Sequence, residues 1–122
     1  ADEVIRLVNK QRTANGLSKF TTSNKLSDVA QTRAKELTES YSHTRPDGSS
    51  CFTALREANI DYTAAGENIA AGYSTPEAVV EGWMNSKAHR ANILNPNYSK
   101  IGVGYFADGS GYGSYWVQVF VS

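Results

Sequence analysis

The sequence predicts an α+β fold, in which several helices precede a C-terminal β-hairpin. In the first third of the chain, apolar residues recur at intervals of three and four, as on the buried face of a helix. Near the C-terminus, two runs rich in aromatic and β-branched residues flank a glycine-rich loop, which is typical of an antiparallel hairpin. Because helices and strands do not alternate along the chain, layered packing is favoured over a parallel α/β sheet.

The composition fits one globular domain that spans residues 1–122. Hydrophobic residues make up 40% of the 122 positions and charged residues 20%, and this length suffices for one hydrophobic core. Twelve basic and twelve acidic residues cancel, without the basic excess of a typical nucleic-acid-binding protein. No apolar run approaches the ~20 residues of a transmembrane helix. We therefore expect no nucleic-acid partner and no transmembrane segment. A monomer is our expectation for the oligomeric state.

Two helices are predicted in the first part of the chain. The first covers residues 2–14 and stops at an Asn-Gly pair. The second begins after a cap at Thr22 or Ser23. Its predicted apolar face carries Leu26, Ala30, Ala34, Leu37 and Tyr41.

The middle of the chain gives a weaker pattern. Residues 42–50 are rich in turn-forming types, and residues 52–58 are predicted to form a short helix. Residues 60–71 remain ambiguous, because their apolar patches are short and glycines interrupt them.

A further helix is predicted to start at residues 75–77, where threonine caps, proline fits the first helical position and glutamate favours the positive helix end. This helix is predicted to run to about Lys87, and residues 89–94 to add another turn or two. Two strands over residues 101–106 and 115–121 then form the closing hairpin.

Three polar residues are candidates for a shared site. His43 and His89 are the two histidines of the chain, and each lies beside a break in regular structure. Paired histidines near a carboxylate can bind zinc or transfer protons. Because His43 and His89 lie far apart in the sequence, the alternative is that they are two unrelated histidines on the surface. Glu67 lies among glycine and apolar residues, where burial raises a carboxyl pKa unless a cation or donor offsets it. A structural carboxylate and a ligand or acid–base group are both open interpretations of Glu67.

Two other pairs suggest nucleophilic chemistry. Ser86 and His89 lie one helical turn apart, which permits a hydrogen bond, but no nucleophile elbow or third catalytic member accompanies them. Cys51, the single cysteine, excludes an intrachain disulfide and is a possible partner of His43. A cysteine with apolar neighbours is more often a small core residue, and we favour that interpretation.

The aromatic residues divide into two sets. Trp83 and Trp116 have apolar neighbours on a predicted helix and a predicted strand, so both are predicted to lie in the core. Tyr105, Tyr112 and Tyr115 flank the glycine-rich loop and are predicted to be partly exposed. The tyrosines form either a lip that contacts a glycan or lipid, or a group of ordinary exposed loop residues.

Four ordered motifs together resemble a known family. Their sequences are SHTRPDG, GENIA, GWMNS followed by HRANIL, and IGVGY, at residues 42–48, 66–70, 82–94 and 101–105. These motifs span essentially the whole chain and are similar to those of the CAP superfamily, which is named for cysteine-rich secretory proteins, antigen 5 and pathogenesis-related 1 proteins. The missing disulfides resemble its bacterial, SCP-like branch.

The resemblance implies a three-layer α-β-α sandwich with a central antiparallel sheet, in a secreted or cell-wall-associated protein. It also implies an open cleft that, in many relatives, holds two histidines and two acidic residues and binds a divalent metal such as zinc. By motif position, His43, Glu67 and His89 match three of these residues. Eukaryotic relatives have a glutamate where this sequence has Ser86. We therefore expect His43, Glu67 and His89 as metal ligands and Ser86 on the cleft rim.

No convincing catalytic constellation is present, which favours a non-enzymatic extracellular module that binds a lipid, a glycan, cell-wall material or another protein. The alternative is a metal-dependent hydrolase or peptidase that uses the same cleft, with Glu67 as a ligand or as the base that activates metal-bound water. A third interpretation is a scaffold whose cleft no longer has a function.

Overall fold

A computed structural model describes residues 2–109 and 111–122. In chain order, the elements are α1 (Asp2–Ala14), α2 (Asn24–Glu36), α3 (Thr53–Glu57), β1 (Ala65–Ala71), α4 (Pro76–Met84), α5 (Lys87–Ile93), β2 (Lys100–Phe106) and β3 (Tyr115–Val121). The first helix has the predicted bounds. The cap of α2 is Ser23, whose side chain accepts a hydrogen bond from the Leu26 N–H.

The sheet is antiparallel and has the strand order β1-β3-β2, so β3 lies in its centre. β2 and β3 form the predicted hairpin. β1 lies in the segment that the sequence left ambiguous, and it pairs along its whole length with β3, with Glu67 opposite Val119. Small residues dominate β1 and most of it is buried, so neither alternation nor β-branched residues marked it as a strand.

Helices cover both faces of this sheet, which confirms the three-layer α-β-α sandwich. α1, α4 and α5 pack on one face with Trp116 and Phe120 of β3, whereas α2 and α3 pack on the other face with Val117 and Val119. Both faces of β3 are therefore buried, which explains why its sequence is apolar without clear alternation. Trp83 lies in the first of these cores, so the prediction for both tryptophans is confirmed.

α2 approaches β2 closely because two glycines face it. A Cβ atom on Gly102 would lie 2.3 Å from the carbonyl oxygen of Leu26, and one on Gly104 would lie 2.2 Å from that of Ala30. The apolar residues that alternate with these glycines point into the opposite core. The Ile-Gly-Val-Gly sequence therefore determines how closely this helix and the sheet approach each other.

Substituting Gly104 by alanine is expected to lower the free energy of unfolding by about 2 to 3 kcal/mol, because the added methyl group meets helix backbone that cannot rotate away. Urea denaturation followed by tryptophan fluorescence measures the change. The exposed Lys100 on the same strand supplies the matched control, and Lys100→Ala should cost less than about 0.5 kcal/mol. An unchanged midpoint for Gly104→Ala would mean that α2 does not need this close approach.

The predicted end of the fourth helix is wrong. The sequence predicts a helix to about Lys87, but α4 ends at Met84 and α5 is a separate helix. The N–H of Asn85 donates to the carbonyl of Glu81 and closes the last turn of α4. Ser86 then adopts an extended backbone, with φ −107° and ψ 121°, as the N-cap of α5. Serine favours this position, so the chain changes direction here and starts a new helix.

Two tyrosines do not lie where the sequence predicts them. α2 ends at Glu36 and turns follow it, so Tyr41 is not on the apolar face of the helix and is exposed. Tyr115 was expected to be partly exposed, but it is buried because it lies on the face of β3 that packs against α2 and α3. Tyr105 and Tyr112 are exposed, as predicted.

Candidate functional site

Glu67 is held in the sheet by a buried arginine. Its carboxylate accepts hydrogen bonds from Arg33 of α2, at 2.7 Å from Nε to Oε2 and 3.1 Å from Nη2 to Oε1. Both side chains are almost completely inaccessible to solvent. The sequence indicated that a buried Glu67 needs a cation or donor, but not that Arg33 supplies it. Arg33 could have been identified from its spacing, because it lies on the same helix face as the apolar residues Leu26, Ala30 and Leu37. A charged residue on a buried face needs a partner of opposite charge.

Arg33 also begins a chain of alternating charges that leads to the surface. It contacts Glu36 at 2.8 Å, Glu36 contacts Arg45 at 2.8 Å, and Arg45 contacts Glu57 at 2.9 Å. Burial raises the pKa of the Glu36 carboxyl, but hydrogen bonds from the two arginines outweigh it and bring the pKa below its ordinary value. These contacts hold the loop of Arg45 against α2, and His43 lies in the same loop.

His43 is oriented by Glu67 while more than half of its side chain faces solvent. Its Nδ1 lies 2.9 Å from Oε1 of Glu67, and the side chain is 58% exposed. A short antiparallel bridge between Thr44 and Ser50 folds the loop back on itself, and the Cys51 N–H donates to the carbonyl of His43. Because Nδ1 is engaged, Nε2 is the ring nitrogen that remains for a ligand.

Cys51 completes a compact cluster next to His43. Ligand atoms of His43, Cys51 and Glu67 all lie within 4.8 Å of one another. Burial, followed by the negative charge of Glu67, raises the pKa of the Cys51 thiol to about 11, so the thiol is neutral at physiological pH. Cys51 is buried, in line with a small core residue. A cation bound to Glu67 here would be repelled by the Arg33 guanidinium, which already binds both carboxylate oxygens.

His89 reaches the same region from α5 and is oriented by Ser86. Its Nδ1 lies 2.8 Å from Oγ of Ser86, which is the contact that their spacing permits. The Ser86 side chain makes no capping bond to α5, although serine at this position usually does. Burial, and then the charge of nearby His43, lowers the pKa of His89. Among the described residues, His89 does not belong to the cluster of His43, Cys51 and Glu67, whose ligand atoms lie within 4.8 Å of one another. The ligand set of His43, Glu67 and His89 therefore stays a prediction.

Buried amides connect β1 to α5 behind the histidines. Nδ2 of Asn68 donates to the carbonyl of His89 and to Oε1 of Gln118, both at 3.0 Å, and Nδ2 of Asn92 donates to Oδ1 of Asn68 at 2.9 Å. In the described part of the chain, Nε2 of Gln118 has no partner. Sequence analysis missed these residues, although Asn68 and Asn92 lie inside two of the motifs. Their contacts fix the backbone of His89 relative to the strand that carries Glu67.

An open cleft of about 420 Å³ lies against the start of β1, an edge strand of the sheet. His43, Glu67, Asn92 and Tyr98 are among the residues that line it, whereas Ser86 and His89 are not, so the position of Ser86 on the cleft rim stays a prediction. Because Arg33 neutralises the charge of Glu67, the cleft presents imidazole, amide and hydroxyl groups rather than a net charge. Such a surface suits uncharged polar ligands, and a neutral imidazole can also ligate a metal ion.

Three layers and an open polar cleft along an edge strand define the class of this domain, an α-β-α sandwich with a surface binding cleft. The profile of the cysteine-rich secretory protein family, CAP, matches residues 5–120. The chain therefore belongs to the CAP family, as the four motifs indicated. None of the described helices is long and apolar enough to cross a membrane.

Bacterial proteins are among its relatives. The chain is 40% identical over 121 residues to the uncharacterized protein YkwD of Bacillus subtilis (strain 168), an alignment that covers 98% of this chain and 46% of YkwD. An extracellular protein containing an SCP domain from Bacillus anthracis has a solved structure with a TM-score of 0.87 and 30% identity, over 98% of this chain and 39% of that chain. This chain thus spans less than half the length of either relative.

A second solved structure supports the fold. An outer surface protein from Borrelia burgdorferi has a TM-score of 0.87 and 21% identity, over 98% of this chain and 89% of that chain. At 21% identity, this similarity supports only the fold. Together, the relatives confirm the bacterial branch of the family.

Proposed function

We propose that this chain is an extracellular binding domain and that His43, which lines the cleft, and His89 bind a divalent cation such as zinc beside it. One observation carries the proposal: each imidazole has its Nδ1 against an oxygen, Oε1 of Glu67 at 2.9 Å and Oγ of Ser86 at 2.8 Å. Histidines that ligate metals usually donate their other ring N–H to such an acceptor, which fixes the tautomer and the ring orientation. The Nε2 atoms of both residues are then available as ligands.

The contacts of Glu67 favour an orienting role over that of a ligand. Its oxygens already accept hydrogen bonds from Arg33 and His43. Two histidine ligands leave zinc with open positions for water or for donor atoms of a bound partner. The cation would thus supply a Lewis-acidic contact to a ligand that the polar cleft walls also bind.

The extracellular location is proposed from a relative. The Bacillus anthracis protein, which is 30% identical to this chain, is described as extracellular. The partner classes remain those expected from the sequence, namely a lipid, a glycan, cell-wall material or another protein.

A metal-dependent hydrolase with Glu67 as its base has less support. A general base needs a lone pair directed at water, but the Glu67 side chain is only 1% exposed and its oxygens already contact Arg33 and His43. Wild type and Glu67→Gln can be compared on a panel of peptides and esters, after folding of the variant is verified. Equal rates would remove Glu67 from any mechanism, whereas hydrolysis that only wild type performs would favour the enzyme.

Calorimetric titration with zinc at neutral pH tests the metal proposal. Wild type is expected to bind zinc, and His43→Ala and His89→Ala are each expected to lose that binding. Ser86→Ala should weaken affinity about 10- to 100-fold, because His89 loses the oxygen that orients it. Cys51→Ser is the matched control, since Cys51 belongs to the neighbouring donor cluster but not to the proposed pair, and it should leave affinity unchanged.

Zinc affinity should fall as the pH drops below about 6.5, the ordinary histidine pKa, because only a neutral imidazole ligates. Protons and zinc compete for the same nitrogen, and the lowered pKa of His89 keeps this residue neutral to a lower pH. If zinc still binds to His89→Ala but not to Cys51→Ser, the zinc site is the neighbouring cluster of His43, Cys51 and Glu67. No heat from a folded, metal-free sample would overturn the metal proposal.

A further inference from the structure

Two tyrosines from separate segments form one aromatic surface. The ring centroids of Tyr41 and Tyr112 lie 5.9 Å apart, with the planes tilted by 53°, and the residues are 46% and 67% exposed. Tyr41 and Tyr112 are called the tyrosine platform below.

The platform adjoins the loop that carries His43. Tyr41 precedes His43 by two residues in the chain, and His43 and Thr44 contribute to the lining of the cleft. The platform therefore lies next to a loop that forms part of the cleft.

Within residues 2–109 and 111–122, the hydroxyl groups of Tyr41 and Tyr112 make no hydrogen bond, whereas that of Tyr98 donates to a main-chain carbonyl. Each platform residue thus offers a flat apolar ring together with a donor and acceptor.

The β2–β3 loop holds Tyr112 in position. Gly111 and Gly113, on either side of it, have φ of 51° and 86°, the left-handed region that glycine adopts without strain. The Tyr112 N–H donates to the hydroxyl of buried Tyr115 at 3.3 Å, and the two rings meet edge to face at 6.5 Å. A ring that is positioned before binding loses less entropy when a ligand stacks on it.

We propose that the tyrosine platform binds a neutral saccharide chain that stacks on Tyr41 and Tyr112. Sugar rings present C–H faces to aromatic rings and hydroxyl groups to the phenols, which matches both properties of the platform. Among the described residues, the exposed large hydrophobic side chains are all tyrosines, whereas a lipid surface is usually met by Leu, Phe or Trp with basic residues. The proposal rests on the proposed binding function of the domain, but not on the proposed cation.

The test is a calorimetric titration of metal-free protein, in the presence of a chelator, with two neutral probes, chitotetraose and cellotetraose. At least one is expected to bind. Tyr112→Ala and Tyr41→Ala should each weaken binding about tenfold, the scale of one lost aromatic contact. Tyr112→Phe keeps the ring and should lose less than Tyr112→Ala. Tyr105→Ala is the matched control, because Tyr105 is also exposed but packs on Trp116 instead, and its affinity should equal that of wild type.

Three results would overturn the proposal: no binding of either probe to a folded sample, wild-type affinity in both alanine variants, or equal losses for Tyr105→Ala and Tyr112→Ala. Near-ultraviolet circular dichroism verifies folding of each variant. A zinc titration of the same preparation separates the two proposals. Zinc binding without saccharide binding rejects only the platform, whereas loss of both rejects the proposed binding function as well.

Discussion

Replacing Glu67 with glutamine is expected to lower the free energy of unfolding by about 3 to 5 kcal/mol, because it removes one partner of a buried ion pair. The volume hardly changes, but the fully buried Arg33 loses its main counter-charge. Glu36 cannot replace it, since Glu36 is already shared with Arg45. Urea unfolding at neutral pH measures the change. The exposed Glu39 supplies the control, and Glu39→Gln should cost less than about 0.5 kcal/mol.

A double substitution separates the charge effect from packing. Arg33→Met and Glu67→Met are each expected to be strongly destabilising, because each leaves a buried charge behind. Together they should cost much less than the sum of the two, since no unpaired member of this pair remains. Costs that simply add would contradict the idea that this pair joins α2 to β1.

The second large effect is expected at Arg12, which joins the end of α1 to the segment after α5. Substitution by methionine should cost about 3 to 5 kcal/mol, because buried carbonyl groups lose a charged donor. The buried guanidinium donates to the carbonyl oxygens of Ser18 at 2.8 Å, Ile93 at 2.8 Å, Asn95 at 3.0 Å and Tyr98 at 3.2 Å. It also lies 3.8 Å from the ring centroid of Phe20. Burial lowers the pKa of Arg12, but an arginine remains charged.

Two variants test this interpretation by thermal and urea unfolding. Arg12→Lys keeps the charge but presents its donors from one point, so it should recover only part of the loss. Arg6→Met changes an exposed arginine of the same helix, whose ion pair with Glu3 is on the surface, and should have little effect. If Arg12→Met were no more destabilising than Arg6→Met, the carbonyl contacts would not hold these segments together.

Much of the fold follows from local patterns in the sequence. α1 and the closing hairpin lie where periodicity and turn residues predict them, because these features depend on neighbouring residues. The break at Ser86 was missed because apolar spacing continues across it, whereas the backbone changes direction at a serine cap. β1 was missed because its small residues have no strand pattern and its pairing partner, β3, lies far along the chain.

In the candidate site, too, the local contacts could be predicted from the sequence and the contacts between distant segments could not. The contact between Ser86 and His89 was predictable, because residues three apart at a helix start are close whatever the rest of the fold does. The contact of Glu67 with Arg33 was not, because it joins a strand to a helix on one side of the sheet. The positions of Asn68 and Asn92 likewise depend on how α5 lies against β1.

The sequence alone determined most of the helices, the closing hairpin, the balanced charge and the residues available for a polar cleft. Only the tertiary structure decided which partner each residue meets: Arg33 neutralises Glu67, Glu67 orients His43, and two distant tyrosines share one surface. The physical reason is range. Spacing along the chain specifies contacts within a turn or a hairpin, whereas contacts between layers depend on strand register and on the close approach that Gly102 and Gly104 allow.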